Sequence, residues 1–131
     1  MALIIDTRFL IAHTFPPSED ERLLIKDFTK KLAKEELFIP SIVIVEFLKV
    51  AGSIIGSDSA KIRIRLWIIG GAKIVPIDGE VAFEAGEIAL RYKHIPLADI
   101  IVGAIAKRFN GKIVSDDQHY NTIDVKTVWY K

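Results

Sequence analysis

There is no cysteine in the 131 residues. That excludes a disulfide framework, thiolate zinc sites and a thiol nucleophile, and it is what a reducing cytoplasm leads one to expect. Charge of one sign is equally scarce: 18 Lys and Arg against 17 Asp and Glu leave a net +1. Whole-chain charge therefore neither demands nor forbids a polyanionic partner, and only the placement of charges bears on that question. Long apolar runs are missing too. The longest, Ile100 to Ala106 with Gly103 included, is seven residues, far short of the roughly 20 needed to cross a bilayer. The opening MALIID has no basic leader and is broken by Asp6, so neither a membrane association nor a targeting segment is expected. Repeats and low-complexity stretches are absent.

What remains is half hydrophobic, with a mean hydropathy of +0.30. High apolarity broken into short runs fits a sheet covered on both faces by helices. The length corresponds to a single domain over residues 1–131, able to bury roughly two thirds of its unfolded surface. Ala2 to Ile5 reads as a buried central strand ending at Asp6, followed by a short helix from Thr7 to His13 that the Phe15-Pro16-Pro17 corner stops. Ser18 with Glu21 three residues on is a capping box, predicting a helix to about Glu36 with Leu24, Phe28 and Leu32 on its apolar face. Leu37 to Ile39 predicts a strand closed by Pro40, and Ser41 a cap for a helix from Ile42 to Ile55. Asp58 or Ser59 is placed to cap a further helix that Gly70-Gly71 ends, with its Leu66-Trp67-Ile68-Ile69 stretch expected mostly in the core. Lys73 to Ile77 reads as a strand, Asp78 as the cap of the next helix, and Leu97 to Phe109 as an apolar helix stopped by Asn110-Gly111. Strands over Lys112–Val114 and Val125–Tyr130 complete an alternating pattern. The expectation is an α/β fold, a three-layer α/β/α sandwich with a mostly parallel central sheet.

Most acids sit among other charges on helix faces, as Glu19, Asp20, Glu21, Glu35 and Glu36 do, where solvation accounts for them. Four positions differ. Asp6 ends the first strand, Glu46 lies within Ile42-Val43-Ile44-Val45-Glu46-Phe47-Leu48, Asp99 within Pro96-Leu97-Ala98-Asp99-Ile100-Ile101-Val102, and Asp116-Asp117 follow the strand from Lys112 to Ser115. A carboxylate buried in such company is costly unless paired. Taken singly, Asp6 and Asp99 suit helix starts and Asp116-Asp117 an ordinary turn, but neither capping nor a polar face accounts for Glu46. Ligands of open parallel sheets bind beyond the carboxyl ends of the strands, where Asp6 and Asp116-Asp117 stand. Carboxylates gathered there repel one another, and a hard divalent cation, Mg2+ or Mn2+, relieves the repulsion.

This arrangement resembles the PIN-domain family. Asp6-Thr7 after an apolar strand, Val45-Glu46-Phe47-Leu48, the segment from Leu97 to Ala106 with Asp99 near its start, and Ile113 to Tyr120 with Ser115-Asp116-Asp117 are similar to that family's motifs. They come in its order and span residues 2 to 120. The resemblance implies a metal-dependent ribonuclease with Asp6, Glu46, Asp99 and Asp117 as its catalytic acids. Asp6, Asp99 and Asp117 would hold Mg2+ or Mn2+, Glu46 would be a ligand or orient the water, and Asp116 is the alternative to Asp117. Thr7 and Ser115 match the accompanying hydroxyls, and Arg8 is a candidate for substrate contact. At Gly103 the family usually carries Ala. In length the chain looks most like the VapC-type toxins of toxin–antitoxin pairs, which implies an RNA substrate cut to a 5′-phosphate and a 3′-hydroxyl, a homodimer, and an antitoxin partner. The alternatives are a PIN nuclease of RNA processing without an antitoxin, and a catalytically inert PIN-like binding module. His13, His94 and His119 are not spaced as a metal cluster and are expected to be ordinary surface or turn residues.

Overall fold

The computed structural model describes residues Met1–Lys131. Five strands form one sheet in the order β3-β2-β1-β4-β5: β1 (Ala2–Ile5), β2 (Glu36–Pro40), β3 (Lys73–Val75), β4 (Lys112–Val114) and β5 (Thr127–Val128). Every pairing is parallel, so the mostly parallel sheet of the sequence expectation is wholly parallel. The apolar run of β1 belongs in the middle: Leu3, Ile4 and Ile5 are buried, and β2 and β4 flank them.

The chain leaves β1 toward β2 and β3, then returns to the other side of β1 for β4. That reversal opens a crevice between the carboxyl ends of β1 and β4, the point in open α/β sheets where the connections diverge. The register sets Ile5 beside Val114, so Asp6 and Ser115, the next residue of each strand, emerge together.

Seven helices surround the sheet: α1 (Thr7–Thr14), α2 (Glu19–Leu32), α3 (Ser41–Ile55), α4 (Ser57–Ile69), α5 (Gly79–Arg91), α6 (Leu97–Arg108) and the short α7 (His119–Thr122). A single cluster of 33 buried apolar residues links them to the sheet. Phe9 on α1 meets Phe28, Trp67 and Trp129 edge-on, with ring centroids 5.7, 6.0 and 6.0 Å away. These contacts, favoured by the ring quadrupoles, tie α1 to α2, α4 and the segment after β5, and so fix the helix that begins next to Asp6.

The expected caps at Ser18 and Asp78 form, their side chains accepting from the Glu21 and Val81 backbone N–H at 3.1 and 2.9 Å. Other local expectations are corrected. Helix α2 ends at Leu32, not Glu36, because the Glu36 N–H donates to the Met1 carbonyl and enrols Glu36 in the sheet. Its inner face carries Ile25 and Leu32, while Leu24 is exposed. Ser41 begins α3 with no side-chain cap, and α4 starts at Ser57, ahead of Asp58 and Ser59, after Gly56 turns the chain at φ 89°. The strands expected over Lys73–Ile77 and Val125–Tyr130 shrink to the residues that find a neighbouring strand, Lys73–Val75 and Thr127–Val128. Of the stretch from Leu66 to Ile69, only Trp67 packs on the core, and Leu66, Ile68 and Ile69 are exposed.

Gly103 on α6 has a packing reason. A Cβ there would stand 2.3 Å from Cδ1 of Ile123, a fully buried side chain. The absent methyl lets α6 lie against the turn after α7, on which part of the site is built.

Candidate active site

Asp6 occupies the N-cap position of α1, yet its carboxylate makes no capping hydrogen bond to that helix. It is buried and turned toward β4, where Ser115 Oγ donates to Oδ2 at 2.7 Å and the Tyr120 hydroxyl to Oδ1 at 3.0 Å. Loss of hydration pushes the Asp6 carboxyl up to about 6; the Ser115 and Tyr120 hydrogen bonds work against that rise, and the nearby Asp99 charge adds to it. Burial and the same acids drive the Tyr120 phenol far above its ordinary value, so it stays a neutral donor.

Asp99 stands in the first turn of α6, where the helix dipole favours a negative charge. Its Oδ1 lies 3.4 Å from the Tyr120 hydroxyl and its Oδ2 lies 2.8 Å from Nδ1 of His119. Asp117 is held by its local turn: its N–H donates to Ser115 Oγ at 3.1 Å, and its Oδ1 accepts from the His119 N–H at 2.9 Å. That Oδ1 is also 3.3 Å from His119 Nδ1. Asp6, Ser115, Asp117, His119, Asp99 and Tyr120 thus form a closed ring of hydrogen-bonded neighbours at the crevice between β1 and β4.

Glu46 joins from α3. It is half-buried, and its Oε1 accepts from Thr7 Oγ1, one residue from Asp6, at 2.8 Å. Packing of α1 on α3 sets this approach, because Val43 and Phe47 on either side of Glu46 are buried in the core. Asp116 points away from the ring and pairs with the Arg8 guanidinium, which holds its carboxyl below the ordinary range. Arg8 is thereby engaged at the rim and largely exposed.

No Lys or Arg pairs with Asp6, Glu46, Asp99 or Asp117; the one basic side chain in contact with any of them is His119. Its hydrogen bond to Asp99 and the charge of Asp117 raise the imidazole above its usual value. Asp99, Asp117 and His119 present ligand atoms all within 4.8 Å of one another, close enough to share one metal ion. The expectation that His119 is an ordinary surface or turn residue is corrected: the Asp117 turn carries it onto Asp99. Its signal in the sequence was its place two residues after Asp117, and spacing to other histidines could not reveal it. Tyr120 was legible as an aromatic near the acids; its hydroxyl between Asp6 and Asp99 was not.

The PIN domain family model matches residues 3–126, and the chain belongs to that family. Its fold is that of several solved toxin–antitoxin structures. VapBC2 from Rickettsia felis, bound to a promoter DNA fragment, superposes with a TM-score of 0.78 at 15% identity over 98% of both chains. DNA-bound VapBC from Salmonella typhimurium gives 0.76 at 13% identity, over 100% of this chain and 99% of that one. The sarcin-ricin loop cleaving toxin VapC20 from Mycobacterium tuberculosis gives 0.73 at 12% identity, over 94% of this chain and 95% of the other. No curated protein sequence matches the chain significantly.

Proposed function

We propose that this protein is a Mg2+- or Mn2+-dependent endoribonuclease acting in the cytoplasm, the toxin of a VapBC-like pair. The observation that carries the reading is the convergence of Asp6, Asp99 and Asp117 in one ring, with Glu46 held by Thr7, the residue after Asp6, and no Lys or Arg ion-paired with any of the four. Such a donor set, mainly hard carboxylate oxygens, fits a divalent cation. Membership of the PIN family and the fold shared with VapC chains support the same conclusion.

Asp6, Asp99 and Asp117 are the residues that hold the cation, and Glu46 borders them as a further ligand or as the group that orients the attacking water. A divalent cation bound there neutralises charge on the scissile phosphate and acidifies water. The rest is done by the chain. Ser115 and Tyr120 keep Asp6 aimed into the crevice, Thr7 keeps Glu46 beside it, and Arg8 stands at the rim to meet a neighbouring phosphate. In-line attack leaves a 5′-phosphate and a 3′-hydroxyl.

A homodimer and an antitoxin belong to the same proposal. They are supported by apolar side chains left in water: Ile54 on α3, Leu66 and Ile69 on α4, and Phe83 and Leu90 on α5. No helix of the structure is long and apolar enough to cross a membrane.

The test is digestion of single-stranded RNA with and without chelator, with the product ends mapped. Chelator-sensitive cleavage leaving 5′-phosphates supports the reading. Cleavage indifferent to chelator, or 2′,3′-cyclic phosphate ends, contradicts it.

A further inference from the structure

We propose that His119 is a direct ligand of the bound cation, and that it biases the site toward Mn2+ over Mg2+. This rests on the metal-dependent reading and goes beyond it, since that reading needs carboxylates alone.

The geometry comes from the Asp117 turn. The His119 N–H donates to Asp117 Oδ1 at 2.9 Å, which folds the imidazole back over the same carboxylate. Nδ1 then lies 2.8 Å from Asp99 Oδ2 and 3.3 Å from Asp117 Oδ1. Adjacent ligands of an octahedral ion with bonds of about 2.1 Å are separated by about 3.0 Å, the bond length times the square root of two. Both distances fall near that edge length, and the two carboxylate oxygens lie within 4.8 Å of each other. An ion that takes the place of any proton on Nδ1 is therefore within reach of all three atoms, the proton passing to solvent. The two carboxylates come from separate elements, α6 and the loop after β4, and the imidazole stands where they meet. Its side chain is 43% exposed, leaving room for the ring to adjust and for water to complete the coordination.

Selectivity follows from ligand chemistry. Mg2+ favours oxygen donors and gives up its waters reluctantly, whereas an imidazole nitrogen suits first-row transition ions. Replacing one oxygen ligand by Nδ1 therefore strengthens Mn2+ binding while doing little for Mg2+.

The experiment uses the full chain and its His119→Ala and His119→Gln variants. Mn2+ and Mg2+ are titrated calorimetrically, and pulsed electron paramagnetic resonance of bound Mn2+ reads coupling to a coordinated nitrogen. Thermal melts of the metal-free proteins check that the variants fold. The expected result is nitrogen coupling in the wild type that both variants lose. Mn2+ affinity should fall about tenfold or more, as loss of a group supporting a metal site commonly produces, while Mg2+ affinity moves much less. Mn2+ bound by the wild type without nitrogen coupling, or with affinity unchanged in folded His119→Ala, overturns the assignment and leaves the carboxylate reading standing. A wild type that binds neither ion overturns both.

Discussion

The Ser115 hydroxyl donates to Oδ2 of Asp6 at 2.7 Å while accepting from the Asp117 N–H at 3.1 Å. The first bond joins residues 109 apart in sequence, made neighbours by the parallel pairing of β1 with β4. One small side chain thereby fixes a buried acid and starts the turn that presents the next. Removing it leaves the Asp6 oxygen short of a donor and the Asp117 amide short of an acceptor. Ser115→Ala is expected to destabilise the fold by about 1–3 kcal/mol, the usual cost of unpaired buried polar groups, and to weaken cation binding as well. Urea unfolding with a Mn2+ titration checks both, and Ser115→Thr should keep much of each because the hydroxyl remains.

Asp6 stores instability in the metal-free protein. Its carboxyl, ordinarily at 3.8, is pushed up to about 6 in the fold. The folded state therefore holds its proton longer than the unfolded chain does. The stabilising contribution is fully present below pH 3.8 and lost as pH rises through about 6. At 1.36 kcal/mol per pH unit this amounts to about 3 kcal/mol at neutral pH. Without metal, Asp6→Asn should be more stable than wild type at pH 7 by up to that amount, with the advantage shrinking toward pH 4. Saturating Mn2+ should stabilise wild type more than the variant, which keeps Asp99, Asp117 and His119 but lacks the Asp6 charge. Melting temperatures across pH, with and without the ion, decide it.

Asp116 and Asp117 should separate cleanly. Asp116 pairs with Arg8 at the surface, and such exposed pairs contribute about 0–1 kcal/mol, so Asp116→Asn should leave stability and most RNA cleavage in place. Asp117→Asn removes an oxygen from the ring and should abolish cleavage. Loss of activity in Asp116→Asn with retention in Asp117→Asn would reverse the assignment.

Gly103 and Ile123 make a packing pair. Gly103→Ala drives a methyl into Ile123 Cδ1, and overpacking costs about 1–3 kcal/mol where the buried Ile123 cannot turn aside. Ala gains roughly 1 kcal/mol over Gly inside a helix, which offsets part of this, so a net loss of up to about 2 kcal/mol is expected. Ile123→Val deletes the offending atom, so the double variant should recover much of that loss. A cycle of four denaturation curves measures the coupling, and additive single effects would refute the contact.

Much of this fold was readable because its signals are local. Ser18 and Asp78 announce their helices through the very hydrogen bonds they make, and the run before Asp6 is apolar because β1 has neighbours on every side. Helix α2 ends early for a reason no local pattern carries: Glu36 is claimed by Met1 across the sheet. At the site, Glu46 stood out as a charge with no local use, and the structure gives it Thr7. His119 did not stand out, and Tyr120 did so only as an aromatic beside the acids. Their polar atoms acquire meaning only when α6 delivers Asp99 to the loop after β4, a juxtaposition made by tertiary packing.

The central claim, that the converging carboxylates make a metal-dependent ribonuclease, is tested most directly by cleavage of a fluorogenic single-stranded RNA in Mn2+. Wild type and the Asp6→Asn, Asp99→Asn double variant, purified side by side, are compared with and without EDTA. The predicted result is cleavage by wild type that both chelator and the double substitution abolish. Equal cleavage by wild type and double variant, or none by a wild type that also binds no Mn2+, would contradict it.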